Sequence, residues 1–449
     1  VSRPLPTRPA PRRRRARTAA ASAVAAALLL TACGGGGGAA DGAATGDGAS
    51  SDGGGGTVTL DLVWWGNDDR AARYEEAVAL FEEQHPDIEV NTSFSAFPDY
   101  WTARSTEAAA RALPDVMQFD STYLRQYVAT DQLLDLSDLL GDAIDTSALD
   151  EKLLTEATID GRTYAMPTAT NTLAMFVNED VLAQTGVAPL EEGYTWEDLN
   201  AFIAQVQAAG ATSAEGNPLH GSADYTATFW FFLQWLVQQG TTPFTEDGGI
   251  AFDEADVVEF LGLTEDLRSS GALFPQDRTT ALLPKGGFTV NEVATEMSWD
   301  NFLAGYVADS GTENISMLPM PSGEDGPALF SRTFMMAAGA STEHPEQVGE
   351  LLDFFLNEPE VGRIFGTSKG VPATQAQRDA MQLEGVDAKV VAYEESVQDL
   401  VTEPAPLPVE GFGTLEAKWK SLGEELGYGN LTPEQFAAEW FAEAEMTLP

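Results

Sequence analysis

Between Thr57 and Phe94 the pattern of apolar positions changes period twice. Val58, Leu60, Leu62 and Trp64 occupy every second position, a strand signature, and the run ends in the polar stretch Trp65-Gly66-Asn67-Asp68-Asp69. Tyr74, Ala77, Val78 and Phe81 then recur at helical spacing on one face, until Pro86 ends the helix. Ile88, Val90, Thr92 and Phe94 alternate as a second strand. Strand, helix and strand at this rhythm predict a βαβ unit with a parallel sheet.

The same alternation continues along the chain. Asp115-Val116-Met117-Gln118-Phe119-Asp120 reads as a buried strand ending in a polar turn, and Leu173–Val177 as another. Thr195-Trp196-Glu197-Asp198 has capping-box spacing and opens a helix bearing Leu199, Phe202, Ile203 and Val206. Tyr225, Phe229, Trp230, Phe231, Phe232 and Trp235 predict an aromatic helix that buries one stripe, and Val293–Met297 a further strand. Thr432-Pro433-Glu434-Gln435 starts a last helix, with Pro in its first turn. No repeat unit is visible, and the stretch from Thr57 to Pro449 is too long for one ordinary domain. The expectation is an α/β protein of two lobes.

The first residues change the picture of where such a body works. Arg3, Arg8, Arg12, Arg13, Arg14, Arg15 and Arg17 precede an apolar run from Ala19 to Leu30 that is shorter than the roughly 20 residues a bilayer core requires. This is the pattern of a secretory signal, assigned to residues 1–32. Leu30-Thr31-Ala32-Cys33 resembles the bacterial lipobox, and Cys33 is the sole cysteine of the chain, so it is expected to carry the lipid. Residues 33–56, almost entirely Gly, Ala, Ser, Thr and Asp after the cysteine, form a flexible tether. Losing the seven arginines before Cys33 takes the formal charge from −46 to −53. Such an acidic surface argues against nucleic acid or anionic lipid as a partner.

Several segments, in order, resemble the family 1 extracellular solute-binding proteins, the maltose-binding-protein-like group. Phe81-Glu82-Glu83-Gln84-His85-Pro86-Asp87-Ile88-Glu89-Val90 resembles the family's early helix-to-strand passage, and Ala112-Leu113-Pro114-Asp115-Val116-Met117 its small-x-Pro-Asp-Val segment. Leu133-Leu134-Asp135-Leu136, Gly161-Arg162-Thr163-Tyr164-Ala165-Met166-Pro167 and Phe176-Val177-Asn178-Glu179-Asp180-Val181 follow in family order. Met317-Leu318-Pro319-Met320-Pro321 and Gly370-Val371-Pro372 resemble the second and third hinge crossings. The resemblance implies a class II periplasmic-binding-protein-like fold with discontinuous lobes joined by a multi-crossing hinge. Lobe 1 would comprise 57–168 plus 318–370, and lobe 2 169–317 plus 371–449. It implies a monomeric lipid-anchored receptor, without cofactor, on the outer face of the cell membrane, passing a sugar to an ABC importer permease.

In α/β sheets ligands sit beyond the carboxyl ends of strands, which points to the residues after each strand. Trp64, Trp65, Asn67, Asp68 and Asp69 follow the first; Asp120, Ser121 and Tyr123 follow the third. An indole stacks on a sugar's C–H face, while amides and carboxylates take its hydroxyls. The resemblance adds Thr170 and Asn171 at the first crossing, Tyr225 and Trp230 in the aromatic segment, Trp299, Asp300 and Asn301 after a strand, and Arg332 and Phe412. Enzyme chemistry finds little purchase. His85, His220 and His344 lack ligand spacing, and no Gly-x-Ser-x-Gly elbow or P-loop occurs. A cationic solute such as a polyamine, favoured by Asp68, Asp69, Asp120 and Asp300, and a secreted carbohydrate-active enzyme remain the rival expectations.

Overall fold

The computed structural model describes residues 57–448 apart from 246, 247, 325, 402–404 and 407. The signal segment, Cys33 and the tether lie outside the described residues.

The chain starts as the apolar periods require. Strand β1 (Val58–Trp65) leads into helix α1 (Asp68–Gln84), capped by the Asn67 side chain, and then into strand β2 (Ile88–Ser95). Helix α2 (Phe97–Ala109), strand β3 (Val116–Asp120) and helix α3 (Ser121–Ala129) complete this part. The small strands β4 (Thr158–Ile159) and β5 (Arg162–Thr163) pair only with each other. Strand β6 runs unbroken from Ala165 to Asn178. Strands β7 (Thr295–Trp299), β8 (Ile315–Leu318), β9 (Ser331–Ala338) and β10 (Val371–Pro372) follow.

The main sheet has the order β10-β6-β9-β3-β1-β2. Only β1 with β2 and β1 with β3 are parallel; β3–β9, β9–β6 and β6–β10 are antiparallel. The sheet is therefore mixed where the βαβ rhythm predicted a parallel one. The cause is that β9 arrives from far along the chain and enters between β3 and β6.

Alternation sorts this sheet's side chains into two cores. Leu60, Leu62, Val116, Met336 and Ala338 face one, with Tyr74 and Phe81 of α1; Val63, Met117, Phe119, Met335 and Ala337 face the other. Strand β2 departs from its predicted pattern: Ile88 and Val90 are buried, whereas Thr92 is exposed and Phe94 is 42% exposed. It is the last strand of the sheet, and its second half has little above it.

A separate, larger core gathers Leu173–Val177 of β6 with residues from Val181 to Phe330 and from Met381 to Ala444. The helix Phe229–Gln238 sits inside it with Phe229 to Leu236 all buried, so it buries every face, not one stripe. Tyr225 lies before it, in a one-turn 3-10 segment. Capping boxes at Thr195 and Thr432 start their helices as the spacing required.

Strand β6 belongs to both halves of this two-lobed α/β body. Its residues Ala165–Thr172 pair with β9, and Leu173–Asn178 pair with β7 and β8. The second crossing comes later than Leu318, because Leu318, Met320, Leu329 and Phe330 pack on the larger core. The third also runs past Gly370: Thr374 and Gln377 hydrogen-bond to the Leu356 and Phe355 carbonyls, and Met381 rejoins the larger core. Gly370 itself is irreplaceable in geometry, with φ +116° and a Cβ that would lie 2.2 Å from the Thr170 carbonyl oxygen.

Candidate ligand-binding site

A cavity of about 450 Å³ opens where β1, β3, β6, β7 and β9 end or cross. Its first wall carries Trp65, Arg70, Phe97, Phe119, Asp120, Thr122, Thr333 and Phe334; its second carries Trp230, Trp299, Asn301, Phe302 and Glu416; Asn171 and Arg332 stand at the crossing strands. A larger groove of about 1310 Å³ continues from it, and Phe97 and Glu416 line both.

Arg332 organises the cavity. It emerges from β9 opposite Asn171 of β6. One guanidinium nitrogen donates to the Asp120 carboxylate and to the Ser121 and Thr122 hydroxyls, the latter two at 3.2 Å. The same guanidinium lies 4.5 Å from the Trp230 ring centre and 5.1 Å from that of Trp299. Its Nε is buried and unpartnered. Asp120 also caps α3 through the Thr122 amide, so helix start and ion pair share one carboxylate.

Arg70 backs the first wall. It donates to the Trp65 carbonyl at 3.3 Å and the Ser368 carbonyl at 2.6 Å, and burial holds its pKa below the usual arginine value. Asn171 donates to the Lys369 carbonyl at 3.1 Å and leaves its Oδ1 buried without a partner, as does Asn301. The lining residues thus include two acceptors and one donor, the Arg332 Nε, that are buried without partners. Phe97 and Phe302, 44% and 50% exposed, present open rings from opposite walls. Burial pushes the Glu416 carboxyl up to about 7, against the Arg332 guanidinium, which favours its charged form.

The residues expected from sequence fall into five groups. Trp65, Asp120, Asn171, Trp230, Trp299, Asn301 and Arg332 are brought together around the cavity, and Ser121 supports Arg332. Tyr123 lines the outer groove, stacked on Trp101 at 3.7 Å. Asn67, Asp68 and Asp69 do not line it: Asn67 caps α1, and the two aspartates are exposed in its first turn, Asp69 paired with Arg73. Trp64, Tyr225 and Phe412 are core residues. Trp64 stacks on Tyr74 at 4.2 Å, Tyr225 donates to Asn200, and Phe412 is fully buried between Phe229 and Trp230.

Thr170 and Asp300 face away from the cavity. The Thr170 and Thr172 hydroxyls donate to Glu394 at 2.9 and 3.2 Å, and the Thr172 amide donates to Asp300 at 3.0 Å. Burial and the neighbouring Glu394 push the Asp300 carboxyl well above the ordinary range, so this carboxyl pair retains a proton. Phe97, Phe302 and Glu416 were not anticipated. Phe97 and Phe302 follow β2 and β7 within three residues, so the strand ends could have pointed to them, whereas Glu416 lies inside the helix Phe412–Gly427 and carries no such signal.

Two lobes sharing a crossing strand, with an aromatic cavity between their walls, define a protein that encloses a small solute rather than one that presents a flat surface. Residues 76–390 match the family described as bacterial extracellular solute-binding protein, and the chain belongs to that family, whose members bind solutes for ABC importers and are not enzymes. A binding protein of Brucella abortus is 20% identical over 353 residues, 78% of this chain and 82% of that one. The fold is similar to an ABC substrate-binding protein of Listeria monocytogenes in complex with cycloalternan (TM-score 0.75, 21% identity). It is also similar to an oligogalacturonide-binding protein of Yersinia enterocolitica with digalacturonic acid (0.74, 20%) and to the GacH receptor of Streptomyces glaucescens, solved with acarbose (0.68, 19%). Each alignment covers 87% of this chain and 98% of the other.

Proposed function

We propose that this protein captures a sugar or oligosaccharide between its lobes and delivers it to the permease of an ABC importer, tethered to the outer face of the membrane through lipid on Cys33. The observation that carries the sugar reading is the combination around the cavity: open aromatic rings on both walls beside the unpartnered Asn171 and Asn301 oxygens. Rings cover the C–H faces of a pyranose, and acceptors at the edge take its hydroxyls. The solved relatives with cycloalternan, digalacturonic acid and acarbose support the same class. Lobe 1 would comprise 57–172 with 331–380, and lobe 2 173–330 with 381–448, the limits following from where β6 changes partners and where the larger core resumes.

A thermal-shift screen over neutral, acidic and basic saccharides, polyamines and organophosphates tests the reading, because a ligand of the native state raises the transition by mass action. Saccharides should stand out. A response confined to polyamines would replace the sugar reading by the cationic one. Anchoring is tested separately: Cys33→Ser should release a folded protein from the membrane fraction.

A further inference from the structure

Resting on the saccharide reading, we propose that the captured saccharide carries a basic nitrogen, which Glu416 meets at the passage between the inner cavity and the outer groove.

The charges lining the two spaces divide unevenly. In the inner cavity Arg70 is tied to two backbone carbonyls, and Arg332 is neutralised by Asp120. In the outer groove Asp224 is held by Arg268 at 2.6 Å and by the Thr226 and Thr264 hydroxyls. Glu416 and Glu296 have no such counterpart: among the described residues no Lys or Arg lies within ion-pair distance of either. Asp277 and Glu424 add exposed negative charge to the same groove, against a single further cation, exposed Lys420.

The groups acting on Glu416 are Arg332, which favours its charge, Asp120, which opposes it, the Trp230 side chain and Lys420. Their sum leaves burial dominant. A half-buried carboxyl in that position is costly when charged and gains most from a cation brought in by the ligand. An anionic saccharide would meet the opposite situation, since both arginines are already engaged. The independent sign is a pair of orphan acceptors among the lining residues: Asn171, more than nine-tenths buried, and Asn301 each leave a buried Oδ1 without a partner. Acceptors in excess call for a solute rich in N–H and O–H donors.

The proposal predicts proton traffic. At pH 6 the free protein holds Glu416 mainly protonated, because burial pushes it up to about 7. An ammonium group arriving beside it favours the carboxylate, so binding releases a proton.

Titration calorimetry of the mature protein at pH 6, in two buffers of different ionisation enthalpy, tests this with glucosamine trimer, its fully N-acetylated counterpart, maltotriose and spermidine. The glucosamine trimer should bind about tenfold more tightly than either uncharged trimer and release protons. Glu416→Gln should erase both the preference and the release, and Glu416→Asp should retain part of each, with melting curves confirming that both variants fold. Equal or tighter binding of the uncharged trimers overturns this inference and leaves the saccharide reading standing. So does an unchanged preference in Glu416→Gln, or absence of glucosamine-trimer binding at millimolar concentration. Spermidine binding as tight as the aminated trimer sinks both.

Discussion

At Asn171 and Thr172 the crossing strand has buried charge on either side, handled in opposite ways. Opposite Asn171, in register on β9, Arg332 meets Asp120, a pair of unlike charges that opens on the cavity and is overlaid by two indoles. Beside Thr172, Asp300 meets Glu394, two like groups of which Asp300 is fully buried and Glu394 partly so. The first arrangement sets unlike groups against each other beside the cavity. The second gives up one charge and keeps a proton. Nearness to the hinge therefore does not by itself make a carboxylate a ligand contact; the sign of its neighbour decides.

The largest expected break is Arg332→Ala. It strands Asp120, whose side chain is only 18% exposed, and uncovers Trp230 and Trp299. Removing one partner of a buried pair costs about 3–5 kcal/mol, and the lower end fits this partly open site. Chemical denaturation at constant m-value checks it; a loss below about 1 kcal/mol would show that the pair is not the organising contact.

Trp299→Ala should leave folding intact and weaken saccharide binding by about 2 kcal/mol, about thirtyfold in Kd. Calorimetry with a saccharide found by screening measures this. Affinity unchanged by the substitution would move the stacking surface to Phe97 and Phe302.

On the Asp300 side the expected effect is a change of slope. The folded pKa values of Asp300 and Glu394 lie above their unfolded ones, so the stability their proton confers is full below about pH 4 and is lost as pH rises through the raised values. Asp300→Asn removes that dependence and should flatten the fall. Lys369 runs the other way: burial among Tyr74, Phe355 and Phe365 lowers it to about 7, so its contribution grows from pH 7 to about 10.5. Urea midpoints from pH 5 to 10 for Asp300→Asn and Lys369→Met should diverge from the parent in opposite directions. Parallel curves would remove the contrast between the two groups.

The smallest effect is that of Thr170→Val. It deletes one hydroxyl donor to Glu394 and should cost about 1 kcal/mol of stability with saccharide affinity unaltered. Lost affinity without lost stability would put Thr170 back in the cavity.

What sequence could say about these two sides was uneven. Trp65 and Asp120 close predicted strands, and position suggested them; Trp299 also closes one but entered through the family resemblance. Arg332 became a candidate only through family resemblance, because its partners are scattered; Asp120 is 212 residues away. Tyr225 and Phe412 show the limit from the other direction. An aromatic residue on a helix reads the same whether it meets a ligand or another ring, and these two meet rings. Asp300 was misplaced because its buried partner, Glu394, lies in a helix that gives no local sign of the pairing. Exposure was equally invisible, so Phe97 and Phe302 passed unnoticed.

The insertion of β9 between β3 and β6 has a consequence in time. The main sheet cannot close until residue 338 has been made, although four of its six strands precede residue 179. Those early strands wait with unpaired edges, and pairing across so long an interval is intrinsically slow. The order of synthesis thus delays the final shape of the sheet until β9 has been made.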